Sequence, residues 1–415
     1  MTVLVINRFP LGPFPYDRWL ADHDGGVVMI AARDRIAAGG ERPPAGPGGY
    51  RHLELLDSFD TDEELVRRVA FDLAAEHGVR HVIAHHEADQ YLAAELREKF
   101  GLPGQTPAQV RPFRDKVLMK ERVSRAGVEV APHTVPADAA AVRAFAAAHG
   151  LPLVFKARDG FGSIGLVIVR TAQELERQLE RAFPPDAPPR DDLLLEAYVP
   201  GRMCHVDGVV AGGRPVMAWP SQYQYDLSSF QADAGARVDL TLSPDDPLTP
   251  RLLALVEQVL AALDGPPDHA FHAEVFHTPD DRLVLCEIAA RPAGARIRDV
   301  LNAVFEVHPV ELASRAQTGL PLPALRGRER LEPQRMAGQV LMMKRPGTVR
   351  SIPVTPEEPW VEFYGVFAEP GQVLGEAAIS SDFLAAAVLS GPTRQECEKR
   401  LRELGARFER EIVID

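Results

Sequence analysis

A chain of 415 residues with 46% hydrophobic and 25% charged residues can build two or three domains with ordinary cores. A net charge of −13 and a pI near 5.5 exclude nucleic acid or an anionic membrane as the main partner, while leaving room for a local basic site for a small anion. The three cysteines show neither metal-ligand spacing nor a disulfide framework, VLVI at 3–6 is too short for a signal peptide, and no apolar run reaches spanning length. A cytoplasmic location follows as the expectation.

The first hundred residues alternate strand and helix. TVLVINRF, GVVMIAA and RHVIAHH read as parallel strands, and DEELVRRVAFDLAAEHG and ADQYLAAELREKFG as amphipathic helices. This predicts a doubly wound α/β domain over residues 1–105. GLPGQTPAQV reads as a linker. RDKVLMKERVSRAGV predicts a helix, and LPLVFKARDGFGSIGLVIVR a strand, a Gly-rich loop and a strand. TAQELERQLERAF predicts a helix capped by Thr171, with Glu174 three residues on. DDLLLEAYVPGRMCHVDGVVAGGRPVMAW gives a strand and then an antiparallel pair, 249–264 a helix, and AVFEVHPVELASRAQTG one further helix. From 335 to 415 the pattern turns β-rich, with a closing helix.

Chemistry concentrates in FHAEVFHTPDDRLVLCEIAARPAG. Two short apolar strands flank a polar turn, so a hairpin can set Glu274 and Glu287 side by side on one face. Two hard oxygen ligands in apolar surroundings suit Mg²⁺ held against nucleotide phosphates. A buried carboxylate needs a partner, and Glu287 finds it either in a cation or in Arg291 or Arg298. DGFGSIG, 159–165, is either a plain turn or a cradle whose backbone N–H groups hold phosphate. Only six of the 46 basic residues are lysine. Lys156, in an apolar strand before this loop, either reaches solvent or meets phosphate oxygens, and Lys116 opens the preceding helix. LLLEAYVPG, 193–201, is a strand end that can offer backbone groups to an adenine edge.

In order and spacing, these residues resemble the ATP-grasp superfamily. The ending EIAARPAG (287–294) resembles the E-x-A-A-R-x-x-G ending of carboxylate–amine ligases related to bacterial L-amino acid ligases. The resemblance implies an α/β (α+β) ATP-grasp fold: an ATP-grasp region over 106–334 with a lid near 133–203, and a β-rich subdomain over 335–415. Lys116, Lys156 and Arg291 would face ATP phosphates, with Gly160, Gly162, Ser163 and Gly165 covering them. Glu196, Tyr198 and Val199 would form the adenine hinge. Glu274 and Glu287 would hold Mg²⁺, with Mn²⁺ as the substitute metal. Arg291, Glu287 and Lys156 would carry catalysis. Ala295 falls where this branch shapes its substrate pocket.

Two departures stand out. Ala289 replaces a common Asn metal ligand, and Met203 replaces a common ribose-binding Glu, with Asp207 or His205 as substitutes. The base for the amine is open among His269, His272 and Tyr223. PSQYQYDLSSFQADAG, 220–235, is either a surface loop or a substrate-selecting wall. The implied activity is ATP-dependent coupling of a carboxylate to an amine, both small molecules and in all expectation amino acids, giving a dipeptide or amide with ADP and phosphate. The resemblance leaves the assembly open between monomer and homodimer. The alternatives are a carboxylase of biotin-carboxylase type and a non-catalytic nucleotide binder.

Overall fold

The computed structural model describes residues 2–185, 188–226, 229, 233 and 235–415. At the N-terminus, β1 (Thr2–Asn7), β2 (Val27–Ala32), β3 (His52–Leu56) and β4 (Val79–Ala84) form a parallel sheet in the order β3-β2-β1-β4. The doubly wound reading holds, with β3 as an added strand. Its HLELL sequence lacks the continuous apolar run of β1 and β2, because it lies at the sheet edge and is half-buried.

Next come β5 (His133–Thr134), β6 (Leu153–Ala157), β7 (Val167–Val169) and β8 (Leu193–Ala197), a small antiparallel sheet in the order β5-β8-β6-β7. Helices Ala139–His149 and Ala172–Ala182 cover it, burying Val142, Leu175 and Leu179 against Leu153, Phe155 and Leu195. Thr171 and Glu174 form the expected capping box.

The largest sheet contains β9 (Arg202–Ala211), β10 (Arg214–Tyr223), β11 (Arg237–Thr241), β12 (His269–His277), β13 (Leu283–Ala289), β14 (Met336–Met343), and, beyond the short β15 (Gly347–Ser351), β16 (Val361–Val366). After β17 (Val373–Leu374) it is completed by β18 (Phe383–Gly391), in the order β13-β12-β9-β10-β11-β14-β18-β16. β15 pairs instead with β17 and β19 (Val413–Ile414). The β9–β10 hairpin turns through Gly212 and Gly213, both at positive φ, as a two-residue turn of this kind requires. Helix Leu248–Leu263 lays Leu252, Val256, Val259 and Leu263 along one stripe against Val206, Phe271 and Val275. Each such buried side chain contributes about 1.5–3 kcal/mol.

Two sequence expectations are corrected. GLPGQTPAQV is not all linker: Thr106 and Gln109 form a capping box that opens helix Pro107–Arg114. AVFEVHPVELASRAQTG is not one helix. Helix Ile297–Phe305 ends at Glu306 in left-handed conformation, and Pro309 opens a second helix, Pro309–Gln317. No helix among the described residues is long and apolar enough to cross a membrane.

Gly208 sits in the middle of β9, where an added Cβ would lie 2.1 Å from the Met217 carbonyl oxygen and 2.7 Å from the Phe271 ring. Gly208→Ala is expected to lower the thermal unfolding midpoint, at a cost of about 1–3 kcal/mol, measured by calorimetry against the parent chain.

Candidate nucleotide and metal site

Strand register creates the site. Glu274 on β12 and Glu287 on β13 are direct Cα partners, as the hairpin reading required. Beyond them Val275 pairs with Leu285, so Cys286 is an extra, bulged residue. A bulge re-aims side chains, and here Cys286 and Glu287 both open onto one cavity of about 610 Å³. Burial pushes the Cys286 thiol up to about 12, which makes it a poor nucleophile.

At the bulge, Lys120 Nζ donates to the Cys286 carbonyl oxygen at 3.1 Å. Lys120 is 0% exposed and its charge is met by Glu196 at 2.9 Å. Glu196 in turn pairs with Lys156 at 3.0 Å. Burial alone would raise the Glu196 carboxyl; Lys120 and Lys156 outweigh it and hold the group below its usual range. Lys156 does not run to solvent: its side chain is 8% exposed and lines the cavity. Glu287 finds its cation in Lys116 at 3.6 Å rather than in Arg291 or Arg298. Burial works against the Glu287 charge, yet Lys116, Lys156, His272 and Arg291 hold its carboxyl down at about 2.

The Gly-rich loop is anchored by three consecutive residues of the preceding segment. Arg114 donates to the Asp159 carbonyl at 2.7 Å, Asp115 accepts a two-pronged contact from Arg158 at 2.7 and 2.8 Å, and Lys116 Nζ donates to the Gly160 carbonyl. Gly162, Ser163 and Gly165 all take positive φ. Glycine adopts that geometry freely, and Ser163 does so as an exception. Phe161 at the tip stands edge-on to His86 at 5.8 Å, and the Gly162 carbonyl accepts from the Ser380 backbone N–H at 3.3 Å. The loop therefore touches both the N-terminal sheet's rim and the C-terminal segment.

Arg291 is held by Glu87, at 2.7 Å from its Nε. Glu87 also pairs with Arg114. Burial opposes ionisation of Glu87, and Arg291 and Arg114 nevertheless keep its carboxyl below its usual range.

Lys116, Lys156, Gly160, Gly162, Ser163 and Glu196 thus border the same cavity, joined by Tyr198, Val199, Glu274 and Glu287. Gly165 and Arg291 are not among its lining residues. Tyr223 and Tyr225 form another wall, whereas residues 227–228, 230–232 and 234 of the 220–235 stretch lie outside the described residues. The ribose expectation for His205 and Asp207 is corrected: both are buried beneath the cavity wall in a histidine–carboxylate network. His269 is also corrected as a base. It lies against the Pro266 carbonyl, and burial lowers its pKa to about 4. His272 has its two nitrogens against Asp207 at 2.7 Å and Glu274 at 3.6 Å.

Sequence reasoning gave no role to Lys120, Glu87 or Arg114. A signal for Lys120 existed: two of the six lysines stand four apart on one helix, hence on one face.

The family model for the carbamoyl-phosphate synthase L chain, ATP binding domain, matches residues 115–208. These span the helix of Lys116 and Lys120, the Gly-rich loop and Glu196. The chain carries an ATP-grasp domain. It is similar to the L-arginine-specific L-amino acid ligase of Bacillus subtilis, 22% identical over 348 residues, which is 80% of each chain. The solved L-amino acid ligase of Bacillus licheniformis superposes with a TM-score of 0.76 at 17% identity, covering 100% of this chain and 98% of that one. The biotin carboxylase domain of Hydrogenobacter thermophilus 2-oxoglutarate carboxylase, solved with MgADP, ADP and bicarbonate, gives 0.71 at 18% identity, covering 100% and 90%. The ATP-grasp architecture places its small antiparallel sheet and its large one on either side of the cavity.

The donor set of this ATP-grasp site fits Mg²⁺ and a nucleotide. Two carboxylates with hard oxygens face a cavity that also presents two lysines, and its volume lies within the usual range for small-molecule sites.

Glu196 and Glu87 make the site acid-sensitive. Both carboxyls lie below the ordinary 4.5 in the folded chain, so they add stability above that value and lose it as pH falls through their folded pKa. Glu196→Gln is expected to cost about 3–5 kcal/mol at pH 7, because Lys120 stays buried with its charge unmatched. Its stability should also depend less on pH below 4.5 than the parent's, as read by denaturant melts between pH 7 and 3.

Proposed function

We propose that the protein is a Mg²⁺- and ATP-dependent ligase that activates a carboxylate and joins it to an amine, releasing ADP and phosphate. One observation carries the reading: Glu274 and Glu287 stand as register partners facing the cavity that also holds Lys116 and Lys156. Amino acids are the proposed substrates and a dipeptide or amino-acid amide the product. The alignment with an amino acid ligase over 80% of both chains supports this branch over the carboxylase alternative.

In this reading Lys116 and Lys156 meet the phosphate oxygens, Gly160, Gly162, Ser163 and Gly165 close over them, and Tyr198 and Val199 offer backbone groups to adenine. Glu274 and Glu287 hold Mg²⁺, which when bound neutralises charge on the phosphates. The substrate carboxylate oxygen attacks the γ-phosphorus and ADP leaves. The amine then attacks the acyl carbon, phosphate leaves, and the amine gives up a proton. Arg291 stabilises the charge that develops at the acyl centre. Acyl-phosphate hydrolyses readily, so the loop contacts made by Phe161 and Gly162 matter for excluding water. Mn²⁺ as substitute metal, a homodimeric assembly, a cytoplasmic location and the division at 105 and 334 are parts of the same proposal. The Hydrogenobacter domain was solved as a dimer.

The test is ATP-dependent phosphate release across amino acids, singly and in pairs, with hydroxylamine in parallel. Pair-dependent release with hydroxamate formation is expected. Release with bicarbonate alone would move the protein to the carboxylases. Glu287→Gln and Lys156→Met should each lower kcat by roughly 10²–10³, and full activity in Glu287→Gln would remove the metal assignment. Tyr223→Ala with Tyr225→Ala should alter which amino acids are accepted, read as ratios of kcat/KM.

A further inference from the structure

Behind the cavity wall, a continuous row of polar side chains crosses five strands of the large sheet. It starts at Glu274 on β12, 3.6 Å from His272 Nε2. His272 Nδ1 lies 2.7 Å from Asp207 Oδ1 on β9. Asp207 Oδ2 meets His205 Nδ1, and His205 Nε2 reaches Asp239 Oδ1 on β11 at 3.0 Å. This last contact crosses β10 beside the small Ser221, the Cα partner of His205. Gln339 on β14 donates to Asp239 Oδ2 at 2.9 Å, and its Oε1 accepts from the Arg296 backbone N–H at 3.0 Å. His205, Asp207, Asp239 and Gln339 are each no more than 1% exposed.

The row ends in the segment that follows Arg291, one residue after Ala295, which holds positive φ. One end therefore touches a carboxylate assigned to the metal, and the other fixes the backbone of the loop that carries Arg291. A buried ionic network of this kind seldom adds stability over apolar residues of similar volume. What it adds is direction, since each hydrogen bond restricts the rotamer of the next group. The same principle holds in metal centres, where partners behind the ligands set ligand orientation.

A second metal centre is the competing reading. His205, Asp207 and His272 can each offer a ligand atom within 4.8 Å of the others. The geometry opposes it: both nitrogens of His205 are engaged by carboxylates, and both oxygens of Asp207 already sit at hydrogen-bond distance from a histidine.

We propose that Asp207, His205, Asp239 and Gln339 are positioning residues that hold Glu274 and the Arg291–Arg296 loop in fixed relation across the sheet. The inference rests on the ligase reading, because it takes Glu274 as a metal ligand. It is tested on the full-length chain with ADP as probe, by titration with and without Mg²⁺ for the parent, Asp207→Asn, Gln339→Leu and Val206→Ala. Val206 is buried on the opposite face of β9 and serves as the control for general loosening. In Asp207→Asn the ratio of ADP affinities with and without Mg²⁺ should fall about 10–100-fold. In Gln339→Leu, amide hydrogen exchange in residues 291–298 should accelerate, with a smaller change in the Mg²⁺ ratio. Val206→Ala should do neither. If Asp207→Asn does not fold, the exchange result in Gln339→Leu decides. A parent-like Mg²⁺ ratio in Asp207→Asn, parent-like exchange in Gln339→Leu, or the same losses in Val206→Ala would overturn the relay alone. A parent chain whose ADP binding ignores Mg²⁺ would overturn both the relay and the ligase reading.

Discussion

The site depends on a single bulged residue. Without Cys286 as an extra position in β13, Glu287 would not stand opposite Glu274, because a one-residue slip reverses which face a side chain occupies. Like charges directly opposite each other are unfavourable in a sheet. The fold meets that cost with converging cations: Lys116 lies 3.6 Å from Glu287. The carbonyl of the bulged residue accepts from Lys120, whose buried charge requires Glu196, and Glu196 holds Lys156 at the cavity wall. One irregularity in one strand thus runs through three ion pairs to two different sheets.

This arrangement explains how a chain with net charge −13 can bind an anion. Long-range charge is unfavourable for a polyphosphate, so the attraction must be local and weakly screened. In the proposed reading Lys116 and Lys156 would provide it from partly enclosed positions, each already oriented by a carboxylate. Pre-orientation lowers the ordering cost of binding. In the proposed reading the lysines would act as fixed donors and not as mobile tails.

Much of this was legible in sequence because local chemistry dictates it. The Glu274–Glu287 hairpin follows from two apolar runs around HTPDD, the Thr171 cap from its spacing to Glu174, and the Gly-rich turn from its glycines. What escaped was set by tertiary contacts. Glu87 opens the short 3-10 turn that follows β4, yet its partners Arg114 and Arg291 are 27 and 204 residues away. His205, Asp207 and His272 were noticed singly as ribose or base candidates. Their true role as a buried network depends on β9 pairing with β12, a long-range register that no local pattern reveals. The split at Glu306 was masked by a continuous apolar periodicity, although Pro309 carried the signal.

The Gly-rich loop is tied to the charged groups of the cavity. Its base is pinned by residues 114–116, and its tip meets His86 on one side and Ser380 on the other. Lys116 belongs to both systems, since the same ammonium contacts the Gly160 carbonyl and Glu287. In the proposed reading, a phosphate entering the cavity would compete for that ammonium and so act on the loop and on Glu287 together. Glu87 is shared in the same way by Arg291 and Arg114, which links Arg291 to the anchor of the loop. Because the charged groups share partners, occupancy of one subsite changes the electrostatic field at the next. The shared ion pairs of Glu87, Glu196 and Glu287 therefore make the charged side chains around the cavity one connected set.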